Sequence, residues 1–209
     1  MHSPIDSESY VKPILGRTKI DIWECYARHV LQFIDSNKYG NLAYSDKPDL
    51  IDRAQSLGIE VTASQSQDSR KAESLYSKLL YENDSSQEKR RVELIEQCGA
   101  HFEKEVLYGP NSSDSFEPVI EALRKKLDRL DSGDYETVRR NELFVRSNIL
   151  ADAEMLREAL SNMKKESSDH SCHFASVIVS VPGYNYVFDL DASTCVSLEF
   201  EYEDQHRIA

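Results

Sequence analysis

The chain has 209 residues, of which 40% are hydrophobic and 30% are charged, and its formal net charge at pH 7 is −12. This length and composition predict a globular protein with one domain and a substantial core. The acidic charge argues against a protein that coats nucleic acid, but it is compatible with an enzyme that has a local basic groove. No apolar run approaches membrane-spanning length, so we expect no membrane partner.

The N-terminal segment and the cysteines favour a cytoplasmic protein. Residues 1–17 contain two prolines and many polar residues, which predicts a loose arm before a single domain at 18–209. The arm lacks the pattern of a signal peptide. Four cysteines are scattered without a C-x-x-C pair, as is typical of a reducing compartment: Cys25, Cys98, Cys172 and Cys195.

The first regular element is a helix that is predicted from about Thr18 to Asp35, with Thr18 as its cap. Apolar residues recur there at helical spacing, and we expect them to face the core: Ile20, Trp23, Ala27, Val30, Leu31 and Ile34. Glu24 lies at the edge of this apolar face. It either pairs with Arg28 one turn later or extends toward the neighbouring strands.

Two short apolar runs follow, at 48–51 and 58–62, and they predict a β-hairpin. Each run is too short for a helix and contains Ile or Val, and the polar segment between them has the length of a hairpin loop. In the second run, alternation places Glu60 and Thr62 on the face opposite Ile59 and Val61.

Each run of the hairpin carries one acid, Asp49 in the first and Glu60 in the second. Burying an unpaired carboxylate is strongly unfavourable, so we expect both acids to have a partner. A divalent cation suits two acids on adjacent strands. The other interpretation is a strand pair whose polar face is hydrated.

The rest of the chain predicts mixed helices and strands. Helices are predicted at 67–82, 87–102, 116–130 and 152–164, the third capped at Ser115. Strands are predicted at 41–44, 142–149, 174–181, 184–190 and 196–202, with polar loops at 83–87, 109–113 and 167–171. In the last strand, Val196, Leu198, Phe200 and Tyr202 alternate with polar residues, so we expect them to be buried on one face. The order predicts an α/β fold with a mixed sheet flanked by helices and antiparallel strands near the C-terminus.

The hairpin resembles the active-site hairpin of the PD-(D/E)XK nuclease superfamily. In that family, Pro-Asp ends one strand and Glu-x-Lys follows on the next. Pro48-Asp49 and Glu60-Val61 match this pattern, whereas Thr62 stands where the family has lysine.

The resemblance is tight over residues 47–64 and looser over 19–82. It implies a restriction-endonuclease-like core, with a helix, strands that carry the acids and a further helix. The layout from the helix at 116–130 to the strand at 142–149 also resembles that of bacterial proteins with this hairpin.

The resemblance implies a nuclease that uses Mg²⁺ or Mn²⁺ to hydrolyse phosphodiester bonds. Asp49, Glu60 and the carbonyl of Val61 would hold the metal ion. Some members of the superfamily add a glutamate from the first helix, and this implies the same role for Glu24.

Thr62 offers a hydroxyl group but no positive charge, so we expect another residue to supply the cation of the motif. Lys71 starts the helix after the hairpin and is the nearest candidate in sequence. Lys126 is the second candidate, because it borders the apolar stripe of the helix at 116–130 and so could point over the sheet.

Two alternatives remain open. The first is a non-catalytic interaction protein on a degenerate nuclease-like fold, with a protein partner or a second copy of itself. The missing lysine and the charge of −12 favour this alternative. The second is an unrelated α/β protein in which Asp49 and Glu60 have this spacing by chance.

Overall fold

The computed structural model describes residues 21–64, 67–79, 84–103, 106–108, 115–133 and 135–200. The predicted arm at 1–17, the cap at Thr18 and the loop at 109–113 lie outside these residues. In the described ranges a seven-stranded mixed sheet carries helices on both faces, which confirms the predicted α/β class. None of the described helices combines the length and apolar character that a bilayer crossing requires.

Helices and strands mix along the chain, as the sequence predicts. The described helices are α1 (Ile22–Ile34), α2 (Ser36–Tyr39), α3 (Gln67–Leu79), α4 (Ser85–Gln97), α5 (Glu117–Asp131) and α6 (Ala153–Ser168). The described strands are β1 (Ala43–Tyr44), β2 (Leu50–Asp52), β3 (Leu57–Ala63), β4 (His101–Glu103), β5 (Val106–Tyr108), β6 (Arg140–Arg146), β7 (Ser176–Val181), β8 (Tyr184–Asp189) and β9 (Thr194–Glu199).

The large sheet has the order β1-β2-β3-β6-β7-β8-β9, and β4 pairs with β5 in a separate hairpin. The three central strands β3, β6 and β7 are parallel, and the outer strands are antiparallel. Helix α5 lies between β3 and β6 in the chain, and α6 lies between β6 and β7. These are the long connections that parallel neighbours need.

Two apolar cores enclose the sheet, one on each face. Leu31 of α1 packs with Ile59 and Phe144 on one face. Helices α5 and α6 cover the other face, where Leu143 and Val145 are almost completely buried. Strand β6 therefore buries alternate residues on both faces, as expected of a central strand.

Helix boundaries differ from the prediction where a capping residue decides them. Asp84 begins α4 earlier than expected, since its Oδ1 accepts a 2.8 Å hydrogen bond from the N–H of Ser86. The same helix ends at Gln97, close to Gly99 with a φ of +76°. Residues 101–103 are consequently a strand, not the end of a helix. Helix α6 extends to Ser168, into the stretch predicted as a loop.

A buried ion cluster marks the start of β6, two residues before the predicted position. The carboxylate of Glu142 is fully buried and accepts hydrogen bonds from Lys38 Nζ at 2.7 Å, from the Tyr39 hydroxyl at 2.7 Å and from Arg140 Nε at 2.6 Å. Such a carboxylate requires several donors to compensate for its desolvation. The cluster thereby holds α2 against the central strand.

The prediction that Val196 is buried on one face of the last strand is wrong, because this residue is 51% exposed. Strand β9 forms the edge of the sheet, where only β8 pairs with it. The apolar core that includes α1 extends to Phe200. The ring centroids of Phe200 and Phe33 are 4.5 Å apart. Leu198 is half-buried, and the predicted residues beyond Phe200 lie outside the described ranges.

Gly58 offers a test of how β3 packs. A Cβ atom at this position would lie 2.7 Å from Cγ of Pro48 and 3.1 Å from Cγ2 of Val138. We expect Gly58→Ala to lower the free energy of unfolding by about 1–3 kcal/mol, because the Pro48 ring must shift. Denaturant titration measures this change, and Ala54→Ser, at an exposed position in the same hairpin, should alter it by less than about 0.5 kcal/mol. A Gly58→Ala protein as stable as the wild type would contradict this packing.

Candidate functional site

A cleft of about 960 Å³ opens at the edge of the sheet where β3 and β6 end. Strand β2 runs antiparallel to β3, so the start of β2 reaches the same edge. The first turns of α1 and one face of α5 supply further lining residues. The carboxyl ends of parallel strands are a common position for ligand sites in α/β proteins.

The register of the hairpin places Asp49 beside Glu60. Leu50 pairs with Ile59, so Asp49 and Glu60 are the next facing positions along the two strands. Oδ2 of Asp49 accepts a 2.7 Å hydrogen bond from the N–H of Val61. Both carboxylates line the cleft.

The electrostatic environment of Asp49 disfavours its ionised form. Burial, followed by the charge of Glu60, raises the pKa of Asp49 from its ordinary 3.8 to about 7. The hydrogen bond from Val61 and the charge of Lys126 lower this pKa but do not cancel the rise. A cation placed beside the two acids would favour ionisation of Asp49.

Glu60 is 5% exposed, and its two oxygens differ in their surroundings. Oε1 forms an ion pair with Nζ of Lys126. Oε2 is buried and makes no close hydrogen bond among the residues that the structure describes, although the hydroxyl of Tyr135 approaches the same carboxylate. A buried acceptor without a partner costs about 1–3 kcal/mol. Glu60 therefore retains the capacity to bind a further cation.

The two lysine candidates lie in different environments. The side chain of Lys126 is 13% exposed and reaches from α5 to Glu60, as described above. Lys71 is exposed on α3 and does not line the cleft. Its neighbour Arg70 does so instead, because adjacent residues of a helix point in different directions.

The other predicted ligands also line the cleft. Glu24 comes from the first turn of α1, and burial is the main reason that its pKa is raised, with a contribution from Glu60. Val61 and Thr62 follow Glu60 on β3 and are half-buried. Arg28, the alternative partner of Glu24, lies over the ring of Tyr44 at 5.2 Å.

These residues fit a divalent cation in their chemistry. Carboxylate and carbonyl oxygens are the ligands that Mg²⁺ prefers, and Oε2 of Glu60 makes no close hydrogen bond within the described part of the chain. In those same ranges, no group of three His, Cys, Asp or Glu side chains is arranged to hold a metal ion, so Glu24 does not complete a three-carboxylate cluster with Asp49 and Glu60. Asp49 bonds to the Val61 amide and Glu60 to Lys126, so binding would require these side chains to exchange partners.

Several residues of the cleft were missed by sequence reasoning. Arg129 follows Lys126 by three positions, and this spacing alone could have indicated a shared face of the helix. Arg146 lies there because it pairs with Ala63 in the parallel sheet, which no local pattern reveals. Tyr135 also lines the cleft, and burial, the charge of Glu60 and the interaction of the Tyr135 hydroxyl with the Glu60 carboxylate raise the pKa of that hydroxyl.

Trp23 was predicted to face the core, and this prediction is wrong. Trp23 is 39% exposed and lines the cleft, and Cζ of Arg146 lies 3.3 Å from the centroid of its ring. The α1 positions that are fully buried are Ala27, Val30 and Leu31. The apolar stripe of α1 therefore meets the sheet only beyond its first turn.

The lining of the cleft is less acidic than the chain as a whole. Among the residues that the structure describes, five acidic residues line the cleft, namely Asp21, Glu24, Asp46, Asp49 and Glu60. The same part of the chain supplies five basic residues, namely Lys47, Arg70, Lys126, Arg129 and Arg146. One bound divalent cation would make this lining net positive, which suits an anionic substrate despite the net charge of −12.

Comparison of the chain with known protein families, with curated proteins and with solved structures gives no match.

The raised pKa of Asp49 predicts a pH-dependent stability in metal-free protein. The folded-state value of about 7 exceeds the ordinary 3.8, so the penalty is absent at low pH and complete above about pH 7. At pH 8, Asp49→Asn should raise the free energy of unfolding by about 1–2 kcal/mol after allowance for solvent screening. The amide oxygen of asparagine can still accept the hydrogen bond from Val61.

Thermal unfolding in a chelator between pH 4.5 and 8.5 measures this effect. We expect the Tm of Asp49→Asn to exceed that of the wild type by about 2–8 °C at pH 8 and to approach it near pH 4.5. Two parallel curves of Tm against pH would show that Asp49 does not titrate in this way.

Proposed function

We propose that this protein is a metal-dependent nuclease that hydrolyses phosphodiester bonds in the cleft at the ends of β3 and β6. The observation that carries the proposal is the Asp49–Glu60 pair. Asp49 is half-buried and Glu60 is buried, one oxygen of Glu60 makes no close hydrogen bond among the described residues, and the largely buried side chain of Lys126 lies beside it. The order of α1, the acid-bearing hairpin and a following helix also agrees with a PD-(D/E)XK core.

In this proposal Asp49, Glu60 and the carbonyl of Val61 hold Mg²⁺ or Mn²⁺, and Glu24 contributes from α1. The bound metal ion supplies Lewis acidity for the phosphate and lowers the pKa of an attacking water. The protein's own residues position the ion, since the hairpin register fixes the two acids at facing positions. Because the pKa of Asp49 is raised to about 7, a proton competes with the cation for this carboxyl group at lower pH. Uptake of the cation should therefore increase as the pH rises toward 7 and above.

Lys126 supplies the positive charge that Thr62 lacks. Its ammonium group contacts Glu60 and lies near enough to Asp49 to lower the pKa of that carboxyl. A buried cation at this position stabilises negative charge that develops on the phosphate in the transition state. Arg129 lines the same cleft one helical turn later and can bind a neighbouring phosphate.

The alternative of a non-catalytic interaction protein draws its support from the net charge of −12 and from Thr62. The support from Thr62 is weakened by Lys126, because the ammonium group of Lys126 lies beside the acids although the motif lysine is missing. Purified protein that cleaves neither DNA nor RNA with Mg²⁺ or Mn²⁺ would favour this alternative.

Substitution of the two acids tests the proposed chemistry. Asp49→Ala and Glu60→Ala should each abolish Mg²⁺-dependent cleavage, because each removes a metal ligand. Asp52→Asn is the matched control: Asp52 is a buried acid of the same hairpin, but its oxygens accept hydrogen bonds from Ala54 and Gln55. A gel assay on labelled oligonucleotides should show cleavage by this control at a nearly unchanged rate. Cleavage that survives both alanine substitutions would contradict the proposed site.

Lys126→Met tests the substitute cation. We expect it to lower the rate of cleavage by about 10²–10³-fold, the usual effect of removing one group that stabilises developing charge. Calorimetric titration with Mn²⁺ should show an affinity as high as that of the wild type, because the ammonium group no longer competes for Glu60. Lys125→Met is the control, since Lys125 is exposed and pairs with Glu121 one turn earlier. An unchanged rate in Lys126→Met would exclude this role.

A further inference from the structure

Trp23 forms a fixed aromatic surface at the cleft. The backbone N–H of Trp23 donates a 3.0 Å hydrogen bond to Oδ1 of Asp21, which caps α1 and fixes the start of the helix. The guanidinium of Arg146 covers one region of the indole, at 3.3 Å from the ring centroid, and Tyr26 meets it edge-on at 6.1 Å. A residue held in this way loses little conformational entropy when it binds a ligand.

Part of this aromatic surface remains open to solvent. Trp23 is 39% exposed, and its neighbour Ile22 is 58% exposed and also lines the cleft. Single exposed apolar residues are common on proteins and need no explanation. Here the exposed residue shares a cleft with Arg70, Arg129 and Lys126, so an aromatic side chain and basic groups of the kind that bind phosphate line the same space.

We propose that the open side of the Trp23 ring stacks on a base of single-stranded nucleic acid whose backbone lies in the cleft. The inference rests on the proposed function and specifies its substrate. Stacking on an aromatic side chain suits any base, because every base presents a π-face. Arg146 supports the ring from its covered side through a cation–π contact.

Two features favour a single strand over a duplex. In a duplex the faces of the bases are covered by their neighbours, so stacking on Trp23 would first require unstacking. In addition, the cleft of about 960 Å³ is at the upper end of the range for small-ligand sites, roughly 300–1,000 Å³. A short stretch of single strand fits this space, whereas a duplex would place more phosphates against a protein of net charge −12.

Trp23 is the only tryptophan of the chain, so its fluorescence reports directly on the proposed contact. The probes are a ten-nucleotide oligothymidine, an abasic strand of equal length and the corresponding duplex, titrated into full-length protein with Ca²⁺ to neutralise the carboxylates. We expect the oligothymidine to quench the fluorescence and to bind more tightly than the other two.

Substitutions separate stacking from charge. Affinity for the oligothymidine, measured by anisotropy of a labelled strand, should fall by about 5- to 150-fold in Trp23→Ala, the range of one base–aromatic contact. Trp23→Phe keeps a ring and should retain most of the affinity. Phe33→Ala should bind like the wild type, because it removes another exposed aromatic ring from the far end of α1.

Three results would overturn the inference. One is an abasic strand or duplex that binds as tightly as the oligothymidine. Another is an unchanged affinity in Trp23→Ala. The third is fluorescence of the free protein that iodide cannot quench, because the ring would then be covered by another part of the chain. Cleavage without quenching would refute only the stacking, whereas quenching without cleavage would refute only the nuclease proposal.

Discussion

The placement of a half-buried and a buried carboxylate at facing positions of one hairpin is the constraint on which the rest of the cleft depends. Asp49 and Glu60 are brought together by the register of β2 and β3, and the charge of Glu60 raises the cost of ionising Asp49. The protein meets this cost in part with the Val61 amide and with Lys126. It leaves Oε2 of Glu60 without a close hydrogen bond among the described residues, and this is the oxygen that the proposed metal ion would bind.

The topology of the sheet explains why so many charged residues meet at one edge. The chain leaves β3, passes through α5 and returns in β6 parallel to β3, so both strands end at the same place. The crossover carries Lys126 over the sheet to Glu60, and β6 delivers Arg146 to the same edge. The beginning of α1 closes the cleft with Glu24 and Trp23. Charges of both signs thereby collect in one cleft of an acidic protein.

Local patterns were sufficient to predict the hairpin and the apolar stripe of α5, because each depends on residues close in sequence. The mixed sheet was predicted from the order of helices and strands along the chain. Local patterns also indicated that Lys126 borders its stripe. They did not reveal the contact between Trp23 and Arg146, which depends on strand pairing between distant segments. Val196 was predicted to be buried because alternation cannot show which strand lies at the edge of a sheet.

The central claim is that Asp49 and Glu60 form a metal site, and diffraction from crystals soaked in Mn²⁺ tests it most directly. We predict an anomalous peak in contact with oxygens of both carboxylates, at distances of about 2.0–2.6 Å. Glu60 should then bind the metal ion through Oε2, the oxygen that makes no close hydrogen bond in the described residues. A fully soaked crystal in which manganese binds elsewhere, with Glu60 still paired only to Lys126, would contradict this account.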